Sequence, residues 1–337
     1  MRQINPLESH DWDVKLTARP DFSFFHGAAW AKVLAATYGF TPFFLEHGQA
    51  LWPLMEVNSW LTGKRGVSLP FTDNLEPLGA NGKTFGEIFS AAVELGKQRG
   101  WKYLEGRGGK NLLADATASI SFYGHSVELH ADEAEMFDAM DGSMRRAIRK
   151  AEKENVTVEI SQTEAAMRDF FHLQCLTRQR HGLPPQSLGF FLNIQKFILS
   201  QNLGFVAVAS HGGRKIAASV YFFLDGKAIY KYGASDFAQQ DLRGTNLVMW
   251  AAMRRLARDG MKSLHLGKTS LAHDGLRRFK LNLGATEEIL SYFRYDFSRC
   301  QFVTDKDSVA GWHNRVFGVL PLPAARLAGR VLYKHWA

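Results

Sequence analysis

Cysteine is nearly missing from this chain: two residues in 337, Cys175 and Cys300. That count excludes a disulfide scaffold, and neither cysteine has a partner at metal-ligand spacing. Cys175 falls on an apolar helical face and reads as core. No uninterrupted apolar run reaches about 18 residues, so no membrane-spanning helix is expected. The opening residues, MRQINPLESHDWDVKL, carry acids and no apolar run, so a signal peptide is not expected either. The simplest expectation is a cytoplasmic protein. Also missing are H-E-x-x-H, a P-loop, G-x-S-x-G and any paired-carboxylate motif. No metal is expected.

What is present is ordinary for a globular protein: 46% apolar and 22% charged residues. The length allows about two domains. The net charge is +8, so the surface favours anionic partners such as phosphorylated sugars, coenzyme A, tRNA or acidic lipid, unless the charge only serves solubility.

The most informative stretch runs from Leu203 to Ala285. Three strand-like runs, Gly204–Ser210, Ile216–Leu224 and Ala228–Tyr232, are separated by Gly212-Gly213 and Asp225-Gly226. Both dipeptides suit tight hairpins, giving an antiparallel meander. A loop (Gly233–Thr245), a helix (Asn246–Arg258), a strand (Ser263–Gly267), a helix (Gly275–Leu283) and a long strand (Glu287–Phe297) follow. Upstream, Val156–Ile160 reads as a strand, and Glu164–His181 and Leu188–Gln201 as helices. The order from Asn155 is β–αα–βββ–α–β–α–β.

The first half offers a helix in Phe24–Tyr38 ending at Gly39 and strands at Phe43–Glu46 and Leu51–Glu56. A loop-rich stretch, Gly66–Gly79, follows. Then come a helix over Thr84–Arg99 and strands at Trp101–Glu105 and His125–Leu129. AAVELGKQRGWKYL at 91–104 aligns with AAMRRLARDGMKSL at 251–264, with identities at Ala91/Ala251, Ala92/Ala252, Gly100/Gly260, Lys102/Lys262 and Leu104/Leu264. This spacing suggests two related units in tandem. The acidic run Asp132–Ser143, followed at once by basic sequence, marks a boundary.

The strings SMRRAIRKAEKENVTVEI, AIYKYGASD, LRGTNLVMWAAMRRLARDGMKSLHLGKTS and LRRFKLNLGAT, with SLPF in the first half, resemble the FemAB-like proteins. These form the Fem-type branch of the GNAT acyltransferase fold. The resemblance covers roughly residues 20–300. It implies an α/β (α+β) protein of tandem GNAT-like domains, each a mixed, mainly antiparallel sheet flanked by helices. The expected division is residues 1–135, 136–300 and a basic amphipathic tail, 301–337. The activity implied is acyl or aminoacyl transfer to an amine. No permanently bound cofactor is expected; the activated donor, aminoacyl-tRNA or acyl-CoA, is a co-substrate.

Candidate site residues fall in four places. In MRRAIRKAEKEN, Arg145, Arg149 and Lys153 share one helical face, and Arg146 and Lys150 a neighbouring one. Such a row suits phosphates or is a solvated face balanced by Glu152 and Glu154. The resemblance singles out Arg149 and Lys150. In the segment where acetyl-CoA enzymes of this fold carry Q/R-x-x-G-x-G/A, SDFAQQDLRGTN keeps only Gly244. This disfavours acetyl-CoA without excluding longer acyl-CoA. Tyr230 and Tyr232 are expected on one face of the last meander strand, with Tyr232 the better substrate contact. Asn246 is either a helix cap or a substrate contact. Trp250 reads as packing.

The densest stretch is LGKTSLAHDGLRRFK. It supplies Lys268, His273 as a conceivable base, Asp274 as cap or base, Arg277 as an anion contact, and Phe279-Lys280, the pair that best matches the Fem-type pattern. Lys280 is the expected catalytic residue, a fixed ammonium facing a developing oxyanion or a donor phosphate, with Arg277 pointing the same way.

The tail, 312–337, mixes Leu, Val, Trp and Tyr with Arg315, Arg326, Arg330 and Lys334, either as an interfacial segment at a membrane face or packed on the protein's own first half. Similar endings occur in FemAB-like proteins of envelope and exopolysaccharide loci. The acceptor expected from this resemblance is an amine of an envelope or polysaccharide precursor. Two other functions are compatible with the same residues: an acyl-CoA-dependent N-acyltransferase on a lipid or sugar amine, and a non-catalytic protein binding precursors or tRNA.

Overall fold

The structure, a computed structural model, describes residues 1–304, 317 and 320–336. It divides into two compact units. The first holds Met1–Tyr123 with the described parts of Ile289–Ser308 and Tyr333–Ala337; the second holds Gly124–Glu288 and the described parts of Val309–Leu332.

Along the chain, the first part comprises β1 (Arg2–Ile4), α1 (Trp12–Thr17), α2 (Ala28–Tyr38), β2 (Thr41–His47), β3 (Ala50–Ser59), β4 (Gly63–Val67), α3 (Gly82–Arg99), β5 (Tyr103–Gly106) and β6 (Ile120–Glu128). Then follow α4 (Glu133–Asp138), α5 (Gly142–Lys153), β7 (Thr157–Ser161), α6 (Glu164–Arg180), α7 (Leu188–Phe197), β8 (Gly204–His211), β9 (Arg214–Leu224), β10 (Lys227–Ser235), α8 (Gly244–Arg258), β11 (Ser263–Ser270), α9 (Asp274–Leu281), β12 (Thr286–Asp296), β13 (Gln301–Phe302) and α10 (Leu322–Leu332).

The expected repeat has a direct structural counterpart. In the first unit β2, β3 and β4 form an antiparallel meander, α3 crosses over, and β5 pairs parallel with β4 at Gly66↔Leu104 and Val67↔Glu105. In the second unit β8, β9 and β10 form the meander, α8 crosses over, and β11 pairs parallel with β10. Gly100 and Gly260, both at positive φ, end the two crossover helices. Hairpin β8–β9 turns through Gly212-Gly213 at φ 56° and 78°, and β9–β10 through Asp225-Gly226 at φ 42° and 78°, as tight two-residue turns require.

The strand beyond each parallel pair explains why the units are not contiguous in sequence. In the first unit β5 is flanked by β12, the last long strand, antiparallel at Phe293↔Gly106 to Asp296↔Tyr103. In the second unit β11 is flanked by β6, from the first half of the chain. The division therefore falls inside β6 and β12, at 123/124 and 288/289, rather than at a single cut near residue 136.

Several expectations change locally. The stretch Gly66–Gly79 contains the end of β4, whose Gly66 and Val67 pair with both β3 and β5. The acidic run contains α4, capped by Asp132, whose carboxylate accepts the Ala134 N–H at 2.8 Å. The expected loop 233–245 is mostly ordered: β10 runs to Ser235, and Phe237–Leu242 form a 3-10 helix. Of the tail, 312–316, 318, 319 and 337, with Arg315 among them, lie outside the described residues. α10 packs on α6 of its own unit: Arg326 Nε donates to Cys175 Sγ (3.4 Å), its guanidinium lies over the Phe171 ring, and Gly329 presses against the Pro185 carbonyl. Leu327 and Val331 face outward. No helix among the described residues is long and apolar enough to cross a membrane.

Candidate active site

In the second unit, α5 and α8 cover one face of the sheet through Met144, Ile148, Ala151, Val248, Met249 and Met253. On the other face α6 and α7 bring Phe170, Phe190 and Phe191 together.

Between these layers β10 and β11 part. They pair at Lys227↔Ser263, Ala228↔Leu264 and Ile229↔His265, then stop, although β10 continues to Ser235 and β11 to Ser270. Two local features cause the divergence. A bulge at Lys231 steps the β10–β9 register from Tyr230↔Tyr221 to Tyr232↔Val220, and a bulge bends its strand. On β11, Gly267 takes φ 72°, breaking the regular pleat. Backbone groups along the parted edges need partners other than each other. At the end of β10, α6 supplies one: Ser235 N–H donates to Thr177 Oγ1 at 2.9 Å, and that hydroxyl donates to Ser235 O.

The bulge also corrects the expectation for the tyrosines. Strict alternation puts Tyr230 and Tyr232 on one face; the extra residue separates them. Tyr230 packs on Tyr221 in the α8-side core, and burial pushes its hydroxyl up to about 12. Tyr232 turns to the opposite layer, among Phe170, Phe190 and Phe191. The buried Thr269, on the parted stretch of β11, has no hydrogen-bond partner for its Oγ1 among the described residues.

Helix α9 is tied to β11 at this place. Lys280, 3% exposed, donates from Nζ to Gly267 O (2.8 Å) and Lys268 O (3.2 Å). Lys268 thus enters through its main-chain oxygen. Phe279 packs against the α8-side core and anchors the helix. Arg277 does not point with Lys280 toward an open anion site. It makes two 2.7 Å bonds to Glu287, whose carboxyl is held below its usual range by that contact. The i, i+3 offset alone could not show this, because the arginine's partner comes from a strand ten residues on.

Glu287 also accepts from His125 Nε2 at 3.0 Å. His125 is fully buried on β6; burial, then the Lys280 charge, push its pKa down, against the pull of Glu287. Sequence reasoning missed both residues. His125 is a lone histidine in a strand, and Glu287 lies in a strand with a second glutamate beside it. Neither has a local pattern to mark it.

The remaining candidates fall as follows. His273, not Asp274, caps α9: its Nδ1 accepts the Leu276 N–H at 3.2 Å. That nitrogen is engaged, which removes it as the base. Asp274 is the first helical residue and exposed, where its charge complements the helix dipole. Asn246 does not cap α8, which starts at Gly244 after Arg243 in the left-handed region. Its amide instead reaches Met144 Sδ on α5 at 3.1 Å. Trp250 is buried and packs on Phe137.

Arg149 and Lys150 are exposed on α5, Arg149 lying over the Phe137 ring. Arg145 is engaged with Asp138. The start of α5 meets the end of α9: Asp141 N–H donates to Asn282 O, and Asn282 Nδ2 donates to Ser143 Oγ. Among the described residues no cluster of His, Cys, Asp or Glu is placed to hold a metal.

This arrangement, a bulged meander strand parting from a parallel neighbour after a crossover helix, lies within a recognisable domain. Residues 140–281 match the family model described as "Acetyltransferase (GNAT) domain". The fold is similar to that of solved structures. FemX superposes with a TM-score of 0.66 at 13% identity, covering 88% of this chain and 97% of that one. The C-terminal domain of a lysylphosphatidylglycerol synthetase candidate from Agrobacterium fabrum gives 0.57 at 15%, covering 90% and 93%. L-PGS from Bacillus licheniformis gives 0.53 at 13%, covering 90% and 96%. No curated protein matches the chain in sequence.

Proposed function

We propose that the second unit transfers an aminoacyl or acyl group from an activated anionic donor to an amine on a cell-envelope or polysaccharide precursor, with aminoacyl-tRNA the favoured donor. The observation that carries this reading is the parting of β10 and β11 beside the buried Lys280 ammonium. An ester or thioester carbonyl entering between the parted strands would lie close to that ammonium. The tetrahedral oxyanion formed by amine attack would be stabilised by a fixed positive charge in a site of low dielectric. The ester or thioester bond breaks, the amide forms, and the amine's proton leaves to solvent or to the departing group. No protein base is required.

The donor choice rests on the segment before α8. A pyrophosphate is ordinarily cradled by successive backbone N–H groups at a helix start. Here the 3-10 helix uses its own groups internally, Gln239 N–H to Asp236 O and Arg243 N–H to Gln240 O. Buried Gly244 serves close packing, since a Cβ there would meet Ile216 Cδ1 at 2.9 Å. Arg146, Arg149, Lys150 and Lys153 on the exposed side of α5 suit a polyanion. The basic net charge agrees. In this reading Arg149, Lys150, Tyr232, Asn246, Lys268, Asp274, Arg277 and Phe279 contact or frame the substrates, and the acceptor brings the enzyme to the cytoplasmic face of the membrane.

Native mass spectrometry of the purified protein with charged tRNA or with acyl-CoA tests the donor. Retention of tRNA and aminoacyl transfer to an amine acceptor is the expected result. Tight retention of coenzyme A with acyl transfer would replace the donor, and neither would leave a binding protein.

A further inference from the structure

The hairpin joining β3 to β4 breaks a surface rule. Its turn, between the paired Ser59 and Gly63, begins with Trp60 and Leu61, which are 82% and 52% exposed. Turn tips normally carry Gly, Asn, Asp or Ser. A tryptophan with four-fifths of its surface in water leaves a large apolar area without a contact.

The tip is not a loose excursion. Ser59 Oγ bonds His335 Nδ1 at 2.8 Å, Thr62 Oγ1 donates to Ser59 Oγ at 2.8 Å and to His335 O at 3.2 Å, and buried Arg65 donates to His335 O at 3.0 Å. The Trp60 ring meets the His335 ring edge-on at 5.3 Å. This network fixes the segment 333–336 against the hairpin. It brings a second exposed tryptophan, Trp336, to the same part of the first unit, seated on Tyr333. Cations stand around it. Lys64 and Lys334 are exposed, and the exposed Lys102 lays its stem over Gly63, where a Cβ would meet its Cε at 2.5 Å.

We infer that Trp60, Leu61 and Trp336, with Lys64, Lys102 and Lys334, form a docking patch for a lipid bilayer bearing anionic headgroups. Tryptophan favours the headgroup boundary, where its ring is apolar and its N–H stays wet. Leucine adds buried area, and lysines extend to the phosphates above the acyl chains. A second copy of this chain fits less well, because a two-fold contact of the patch with itself would set the ammonium groups against each other. The inference is independent of the donor and of the transfer chemistry, which belong to the second unit.

Vesicle co-sedimentation of the full chain tests it, using phosphatidylcholine vesicles with and without roughly one-third phosphatidylglycerol. The protein should pellet with the anionic vesicles, and its tryptophan emission should shift to the blue. Added salt should release it. Trp60→Ser with Leu61→Ser should lower binding at least about tenfold. Lys64→Glu with Lys334→Glu should lower it by a similar factor on anionic vesicles only. Both pairs change exposed positions, so the thermal midpoint and the transfer rate on a soluble amine acceptor should stay at the parent values. Equal sedimentation of parent and variants would overturn the inference. So would failure of the parent to bind either vesicle, or a parent that dimerises through the patch instead of binding lipid.

Discussion

Two carboxylates bridged to arginine, Glu105 in the first unit and Glu287 in the second, are built differently. In the first, Glu105 lies 7% exposed between Arg107 (2.9 Å) and Arg294 (2.7 Å), with the Arg294 guanidinium over the Tyr103 ring. Burial pushes the Glu105 carboxyl up, but the two guanidiniums outweigh it and bring it down to about 2. In the second, Glu287 joins an arginine that is more than a third exposed, Arg277, to a buried histidine, His125, near the buried Lys280. The first arrangement is closed: one buried carboxylate holds two guanidiniums together and serves the fold. The second lies beside parted strands and keeps a buried cation on backbone carbonyls; in the proposed reading it serves chemistry, at some cost in stability.

The sharpest way to break this contrast is Glu105→Gln. It leaves two closely placed guanidiniums without their counter-charge, and removing one partner of a buried pair typically costs about 3–5 kcal/mol. Urea unfolding should show a loss of that order. A loss below about 1 kcal/mol would mean the cluster is solvated after all.

Acid titration separates the closed elements further. His26, 1% exposed, accepts the Ser23 N–H on Nδ1 and bonds Glu76 O through Nε2. Burial, against both backbone contacts, lowers it to about 4. Between the usual histidine value and about 4 the unfolded chain binds a proton that the folded chain refuses. The contribution of His26 is therefore complete above about pH 6.5, and about 3 kcal/mol of it is lost as the pH drops to about 4. Glu105 works below that window: its contribution is present above the usual carboxylate range and is lost as the pH falls toward about 2. His26→Gln should flatten the upper part of the curve; an unchanged slope would assign the loss elsewhere.

Glu287→Gln should behave in the opposite way to Glu105→Gln. Because Arg277 is partly exposed, losing the pair should cost at most about 1 kcal/mol. The transfer rate should fall more than stability does, since His125 and Arg277 lose their common partner. A large stability loss with an unchanged rate would make this second cluster structural too. The smallest effect is expected on the surface: Arg149→Ala with Lys150→Ala should leave the fold intact and lower the salt dependence of tRNA binding by about two phosphate contacts. An unchanged salt slope would return both residues to a solvated face.

How much of this was legible in sequence depends on whether the information was local. Hairpin dipeptides, the Gly100 and Gly260 helix stops and the 91–104/251–264 likeness gave the second meander, the first two strands of the other and both crossover helices, because each is encoded within a few residues; β4, short and glycine-bearing, reads as loop in sequence. The flanking strands were legible as strands but their placement was not, since nothing local in β6 or β12 tells which sheet accepts it. The Lys231 bulge was invisible for the opposite reason: alternation is a rule about regular strands, and one extra residue reversed Tyr232. Phe279-Lys280 stood out through family likeness. Lys280's carbonyl partners, and the diversion of Arg277 to Glu287, required the fold.

The most direct test of the account is the transfer rate of Lys280→Met, measured with the thermal midpoint on the same preparation. Methionine keeps most of the length and removes the charge that Gly267 O and Lys268 O hold in place. If that ammonium stabilises the oxyanion, the rate should fall by about 10²–10³ while the midpoint moves by only a few degrees. A near-parental rate with a lowered midpoint would make Lys280 a structural tie between α9 and β11, and the catalytic account would be wrong.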